Sequence, residues 1–138
     1  MHNMRKIGII PAAMAPSTDE KRLVESWQDM LDKHARVSCA LEHALRDHDL
    51  GPSEYEVLER LESSECDHLR MQELAERLHL SQSALSRAVA RLEADGLVKR
   101  AMCEQDRRGI FVKLTAAGRT RYEEARPAHH RVLAELLA

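Results

Sequence analysis

Between Met71 and Leu114 the chain changes its residue period, and that change limits the folds open to it. Leu74, Ala75 and Leu78 fall at helical spacing, His79–Leu80 makes a tight turn, and Ser81 supplies a hydroxyl to cap a second helix. In that helix, which runs to about Ala94, Leu85, Val89 and Leu92 recur at i, i+4 and i+7 and mark the core side. Asp95–Gly96 ends it, because Gly accepts the left-handed conformation without a Cβ penalty. Strand-like patterns follow over Leu97–Val98–Lys99–Arg100 and Ile110–Phe111–Val112–Lys113–Leu114, and the polar stretch from Met102 to Gly109 reads as a long loop. Two helices on a turn of about three residues, then a hairpin with a basic tip, is the winged helix-turn-helix order.

The flanks read as long helices. Ser17–Thr18–Asp19–Glu20 fits a capping box, and Leu23, Trp27, Met30, Leu31, His34, Val37, Leu41 and Leu45 form an apolar stripe up to about His48. A stripe of roughly six turns exceeds what one small core covers, so part of it is expected to pack against a second copy of the chain. Gly51–Pro52 opens the next helix, with Tyr55, Leu58 and Leu61 on its buried side, and it ends near Ser63–Ser64. Residues 65–69 read as a polar connection. Thr115 caps a last helix, in which Pro127 marks a break or kink before Val132, Leu133, Leu136 and Leu137.

The fold class is therefore mainly α, of α+β type, with 138 residues giving one domain. Residues 1–16 are expected to be a flexible arm, and 17–138 a single domain. Within it, 17–48 and 115–138 are dimerisation helices and 52–114 the winged helix-turn-helix, with the recognition helix at 81–94 and the wing at 97–114. Only four aromatic residues argue against a sandwich of strands. No stretch approaches the roughly 18 apolar residues of a membrane helix, which points to the cytoplasm and to no membrane partner.

The net charge of −2 conceals a strong asymmetry. Residues 77–121 hold ten basic and four acidic side chains, a balance of +6 that leaves −8 for the remainder. A basic stretch on an acidic chain suggests a polyanion partner for that stretch. Ser83, Ser86, Arg87 and Ala90 lie opposite the core side of the second helix, flanked by Gln82 and Arg91. Small residues permit close approach to a groove, Arg87 suits guanine, and Gln82 suits adenine or a phosphate. Ser81 and Ser83, with the first helical amides, suit phosphate oxygens.

Met71–Ala75, Leu80–Arg87, Arg91–Arg100, Asp106–Arg107–Arg108 and Leu114–Thr115–Ala116–Ala117–Gly118 together resemble bacterial multiple-antibiotic-resistance-type (MarR) regulators. The resemblance spans about residues 22–137. It implies a homodimeric repressor of a pseudo-palindromic double-stranded DNA operator, with activation the less common mode. It places Arg108 in the minor groove, Arg107 near a phosphate, and Asp106 in a salt bridge supporting the wing, with Arg91 as its partner. It also implies an effector bound between the dimerisation and DNA-binding parts. The family continues with another helix after the stretch resembling Pro127 to Leu137, so the expectation is a minimal dimer interface or absent C-terminal residues.

Trp27, His34, Tyr55 and Tyr122 are candidates to line a pocket for an aromatic or phenolic acid, with His34 or Arg126 meeting its carboxylate; as helix residues they also suit plain packing. Cys103 and Cys39 are the candidates for an oxidant-sensing thiol; Cys103, beside Arg100 and the wing arginines, is the better one, and Cys39 reads more as packing. Cys39 and His43 share a helix face, with His129–His130 as further donors, but two ligands do not make a site and no metal or cofactor is expected. There is no Gly-rich phosphate loop, nucleophile elbow or HExxH, so no enzyme is expected. RNA binding lacks its aromatic platform. The competing reading is a winged-helix protein-interaction module without DNA binding, against which stand Arg87 on the helix and Arg108 at the wing tip.

Overall fold

The computed structural model describes residues 17–103 and 106–138, with the side chains of 17–102 and 109–138. The elements are α1 (Thr18–Arg46), α2 (Pro52–Ser63), β1 (His68–Arg70), α3 (Met71–Leu78), α4 (Gln82–Ala94), β2 (Val98–Cys103), β3 (Asp106–Leu114) and α5 (Ala116–Leu137). Contacts divide the chain within α1 into one unit up to Arg36 and another from Val37 onward. No helix among the described residues is long and apolar enough to cross a membrane.

Local chemistry sets most of the boundaries. The Ser17 hydroxyl accepts the Glu20 N–H at 3.2 Å and starts α1. Pro52 occupies the first turn of α2, where its missing N–H costs nothing. At the end of α3, His79 takes the left-handed conformation at φ 56°. Ser81 caps α4 by accepting the Ala84 N–H at 3.1 Å, and Gly96 at φ 74° turns the chain into β2. Thr115 caps α5 through the Gly118 N–H at 3.0 Å.

In the first unit, Leu23, Val24, Trp27, Met30 and Leu31 of α1 stand between 47% and 71% exposed. The second unit has one core: Leu45 and Leu50, then Tyr55, Val57, Leu58 and Leu61 of α2, with Leu74, Leu85, Val89, Leu92, Leu97, Val98, Val112, Leu114, Tyr122 and Ala125. Each such aliphatic side chain contributes roughly 1.5–3 kcal/mol by leaving water.

Four features differ from the sequence expectation. His68 and Leu69, expected within a polar connection, join Arg70 in β1, which pairs antiparallel with β3 through His68–Lys113, Leu69–Val112 and Arg70–Phe111 and makes a sheet of order β1-β3-β2. The expected loop from Met102 to Gly109 is largely strand, since β2 runs to Cys103 and β3 starts at Asp106, with a register shift between Met102 and Cys103. Polar residues extend a two-stranded ribbon readily where no face must be apolar. Of the break or kink expected at Pro127, the break does not occur: α5 continues through it to Leu137, at the cost of one intrahelical hydrogen bond. Cys39, read as packing, is exposed.

Where α2 meets α5, the Tyr55 ring stacks on His129 with centroids 4.1 Å apart and lies 5.4 Å from Tyr122. Burial, with the neighbouring Tyr122, pushes the Tyr55 phenol well above its ordinary range. Burial holds the His129 imidazole below its ordinary value, and Glu59 opposes that shift while His130 adds to it. The unfolded chain, with its histidine near 6.5, therefore takes up the proton first. Stability associated with His129 is complete above about pH 6.5 and declines as pH falls through it toward the folded value. Urea midpoints at about pH 7.5 and 5.5 should show a drop that His129→Phe, which keeps a ring for Tyr55, reduces.

Candidate nucleic-acid interface

The helix α4 is anchored on one side and open on the other. Leu85, Val89 and Leu92 are at most 1% exposed, and Ala88 joins them as a buried residue that the apolar spacing did not flag. Gln82, Ser83, Ser86, Arg87, Ala90 and Arg91 are all exposed. Ser81 does two things at the helix start: its oxygen accepts the Ala84 N–H, and it lies 3.2 Å from the Ser83 hydroxyl. The amides of the first turn and two hydroxyls thus share one helix end, a geometry suited to phosphate oxygens. Among the described residues Arg87 has no ion-pair partner for its guanidinium fork.

Arg91 is different. Its Nε lies 3.3 Å from Glu54 Oε2, and Glu54 is buried while Arg91 is 76% exposed at the side chain. The other Glu54 oxygen accepts the Gly51 N–H at 3.1 Å, closing the start of α2. One carboxylate thereby fixes the start of α2 and the last turns of the candidate recognition helix. Sequence reading missed Glu54. Its local signal is the Glu three residues after the helix-starting Gly51, but its pairing with Arg91 is a long-range contact without a sequence mark. Arg91, expected to pair with Asp106, has Glu54 as its described partner. Glu54→Ala should cost about 1–2 kcal/mol, mainly from the lost cap, because the exposed Arg91 makes the ion pair weak. Urea denaturation measures it, and Glu54→Gln, which still accepts the Gly51 N–H, should recover most of the loss.

The expected wing residues Cys103, Asp106, Arg107 and Arg108 lie outside the described side chains. At the base of the wing, Arg100 Nε is 3.5 Å from Glu93 Oε1, and Glu93 Oε2 accepts the Arg100 N–H at 3.4 Å, tying β2 to α4. The Thr115 hydroxyl donates to the Gly96 carbonyl at 2.7 Å, and the Thr115 N–H donates to the Leu97 carbonyl at 3.1 Å, tying the end of β3 to the start of β2. Arg119 pairs with Asp67, and Glu62 lies 3.8 Å from it, so the β1 approach is fixed to α5. Arg119, whose guanidinium bonds Asp67, is correspondingly harder to deprotonate.

The candidate effector residues separate by environment. Trp27 and His34 are exposed on the first unit, Arg126 is exposed on α5, and Tyr55 and Tyr122 are core residues packed on each other. A cleft of about 560 Å³ is instead lined by Glu42, Arg46, Asp49, Leu50, Gly51, Arg91, Asp95 and Arg121. There, Arg121 Nη1 donates to the His48 carbonyl at 3.1 Å. No group of three or more His, Cys, Asp or Glu suited to a metal ion occurs among the described residues.

The arrangement has known counterparts. A family model described as the MarR family matches residues 48–109. The HTH-type transcriptional repressor YetL of Bacillus subtilis is 26% identical over 106 residues, which cover 77% of this chain and 64% of that relative, so the match spans less than two thirds of its length. The structure is similar to AbsC, a MarR family transcriptional regulator from Streptomyces coelicolor, with TM-score 0.77 and 33% identity over 86% of this chain and 78% of that one. A second MarR family regulator from the same organism, solved in complex with DNA, gives TM-score 0.78 and 34% identity over 87% of this chain and 74% of that one.

Proposed function

The chain belongs to the MarR family, and on that premise we propose that it is a transcriptional regulator rather than an enzyme, a homodimer that reads double-stranded DNA. The observation that carries this reading is the exposed face of α4, where Arg87, with no ion-pair partner among the described residues, stands with Gln82, Ser83, Ser86 and Ala90 on a helix whose other side is locked in the core. Such a helix enters a major groove with its backbone held by phosphate contacts and its long side chains on base edges. Ser81 and Ser83 take phosphates, Arg87 and Gln82 read bases, and Arg91 flanks the site while holding Glu54. Arg107 and Arg108 extend the contact from the wing to a phosphate and to the adjacent minor groove. The similar regulator solved with DNA supports the assignment.

Dimerisation is supported by the exposed run Leu23, Val24, Trp27, Met30 and Leu31, an apolar face that a single chain leaves in water. Repression is the mode named for the relative YetL. Release by a small molecule or by oxidation of Cys103 completes the proposal, with the operator a pseudo-palindrome.

Selection of bound duplexes from a random DNA pool tests it. The parent should enrich a two-fold symmetric site with half-sites about one helical turn, roughly 10 bp, apart, and Arg108→Ala should lose that enrichment. No enrichment by the parent at low salt would overturn the duplex-reading role and favour a protein-interaction module.

A further inference from the structure

The sheet has a second face, and its composition is unusual. Cross-strand partners point the same way, so His68, Lys113 and Lys99 form one row across the three strands and Arg70, Phe111 and Ala101 form the next. The opposite face carries Leu69, Val98, Val112 and Leu114 into the core with the apolar side of α4. The outer rows therefore point away from the helices, and the exposed face of α4 points away from the sheet.

Lys99 and Lys113, directly opposite each other, are both exposed. Like charges in that position destabilise a strand pair unless something of opposite sign offsets them. Two carboxylates flanking β1 are engaged: Asp67 pairs with Arg119, and Glu73 accepts the Arg70 N–H and lies 3.8 Å from Arg77. His68 is held by its Nδ1, which donates to the Cys66 carbonyl at 3.0 Å and leaves Nε2 for another partner. Beside the basic row is a hollow of about 250 Å³ lined by His68, Ala101, Met102, Phe111 and Lys113, with Met102 67% exposed.

We propose that this outer sheet face docks an acidic polypeptide segment of a partner protein, its carboxylates on Lys99 and Lys113 and one aliphatic side chain in the Ala101–Met102–Phe111 hollow. The charge complementarity is direct, and the apolar hollow among basic groups suits a chain that alternates acidic and apolar residues. Single-stranded nucleic acid fits less well. Stacking needs an open aromatic face, whereas the Arg70 guanidinium lies 5.4 Å from the centre of the Phe111 ring and the His68 ring meets Phe111 edge-on. Docking here goes beyond duplex reading and does not depend on it, because the two faces point in different directions.

The test uses the full chain and a fluorescein-labelled dodecapeptide of alternating Glu and Leu, followed by anisotropy at low salt. A Gln–Leu peptide of the same length and an oligothymidylate serve as comparisons. The Glu–Leu peptide should bind at least about tenfold more tightly than the Gln–Leu peptide, and Lys99→Glu/Lys113→Glu should remove about tenfold or more of that affinity. Lys113→Ala, a milder change, should give an intermediate loss, and circular dichroism of both variants should match the parent. Failure of the Glu–Leu peptide to bind, equal binding of the Gln–Leu peptide, unchanged affinity in the well-folded variants, or tighter binding of oligothymidylate would each overturn the proposal.

Discussion

Gly118→Ala is expected to destabilise the protein by about 3 kcal/mol or more, near the upper end of what a single overpacking substitution does. A Cβ on Gly118 would lie 2.1 Å from the Leu97 carbonyl oxygen and 2.8 Å from Leu114 Cδ1. A flexible side chain can move aside, but a backbone carbonyl cannot move without taking its strand along. That carbonyl is also in use, since it accepts the Thr115 N–H at 3.1 Å while the Thr115 hydroxyl holds the Gly96 carbonyl at 2.7 Å. Relieving the clash by shifting α5 would break these bonds and the Thr115 cap on the Gly118 N–H. The same contact joins the start of α5 to the turn between the candidate recognition helix and the wing. A urea midpoint should fall sharply in Gly118→Ala, and duplex affinity should fall with the folded fraction. A midpoint equal to that of the parent would mean that α5 does not approach Leu97 this closely.

Much of this framework was legible in the sequence because its signals are local. Ser81, Thr115, Pro52 and Gly96 each act within a few residues, and the spacing of Leu85, Val89 and Leu92 alone identified the buried side of α4. Gly118 was visible as part of the Leu-Thr-Ala-Ala-Gly resemblance, but its reason was not, since the carbonyl it accommodates belongs to Leu97 across the turn. β1 was invisible because three residues are too few to show a period; His68–Arg70 becomes a strand only because β3 offers an unpaired edge. Glu54 escaped for the related reason that a carboxylate's burial and its distant arginine are decided by packing. Cys39 shows the reverse error: a small apolar residue on a helix was assigned to packing, and it lies exposed. In the candidate site the residue types were readable and the division of labour was not. Arg87 and Arg91 are both basic and exposed on one helix, and only the structure distinguishes the one without an ion pair among the described residues from the one that holds Glu54.

That distinction leads to the prediction with the largest expected effect on binding. A bidentate Arg–guanine contact is worth about 1–3 kcal/mol, and a symmetric dimer loses it twice, so Arg87→Ala should weaken binding to the selected operator by about 2–6 kcal/mol. Little should offset this, because Arg87 has no ion pair among the described residues and truncating it strands no carboxylate. The loss should be confined to cognate DNA, with preference relaxed at one base pair in each half-site and nonspecific affinity reduced much less. Arg107→Ala should behave differently. A phosphate contact carries no sequence information, so its removal should weaken all duplexes alike and lower the salt slope by about one per subunit. Titrating operator and scrambled duplexes at several salt concentrations separates the two patterns. If Arg87→Ala weakened both duplexes equally, with the salt slope falling as for Arg107→Ala, then Arg87 would be a phosphate contact, and base reading would have to come from Gln82 and the wing.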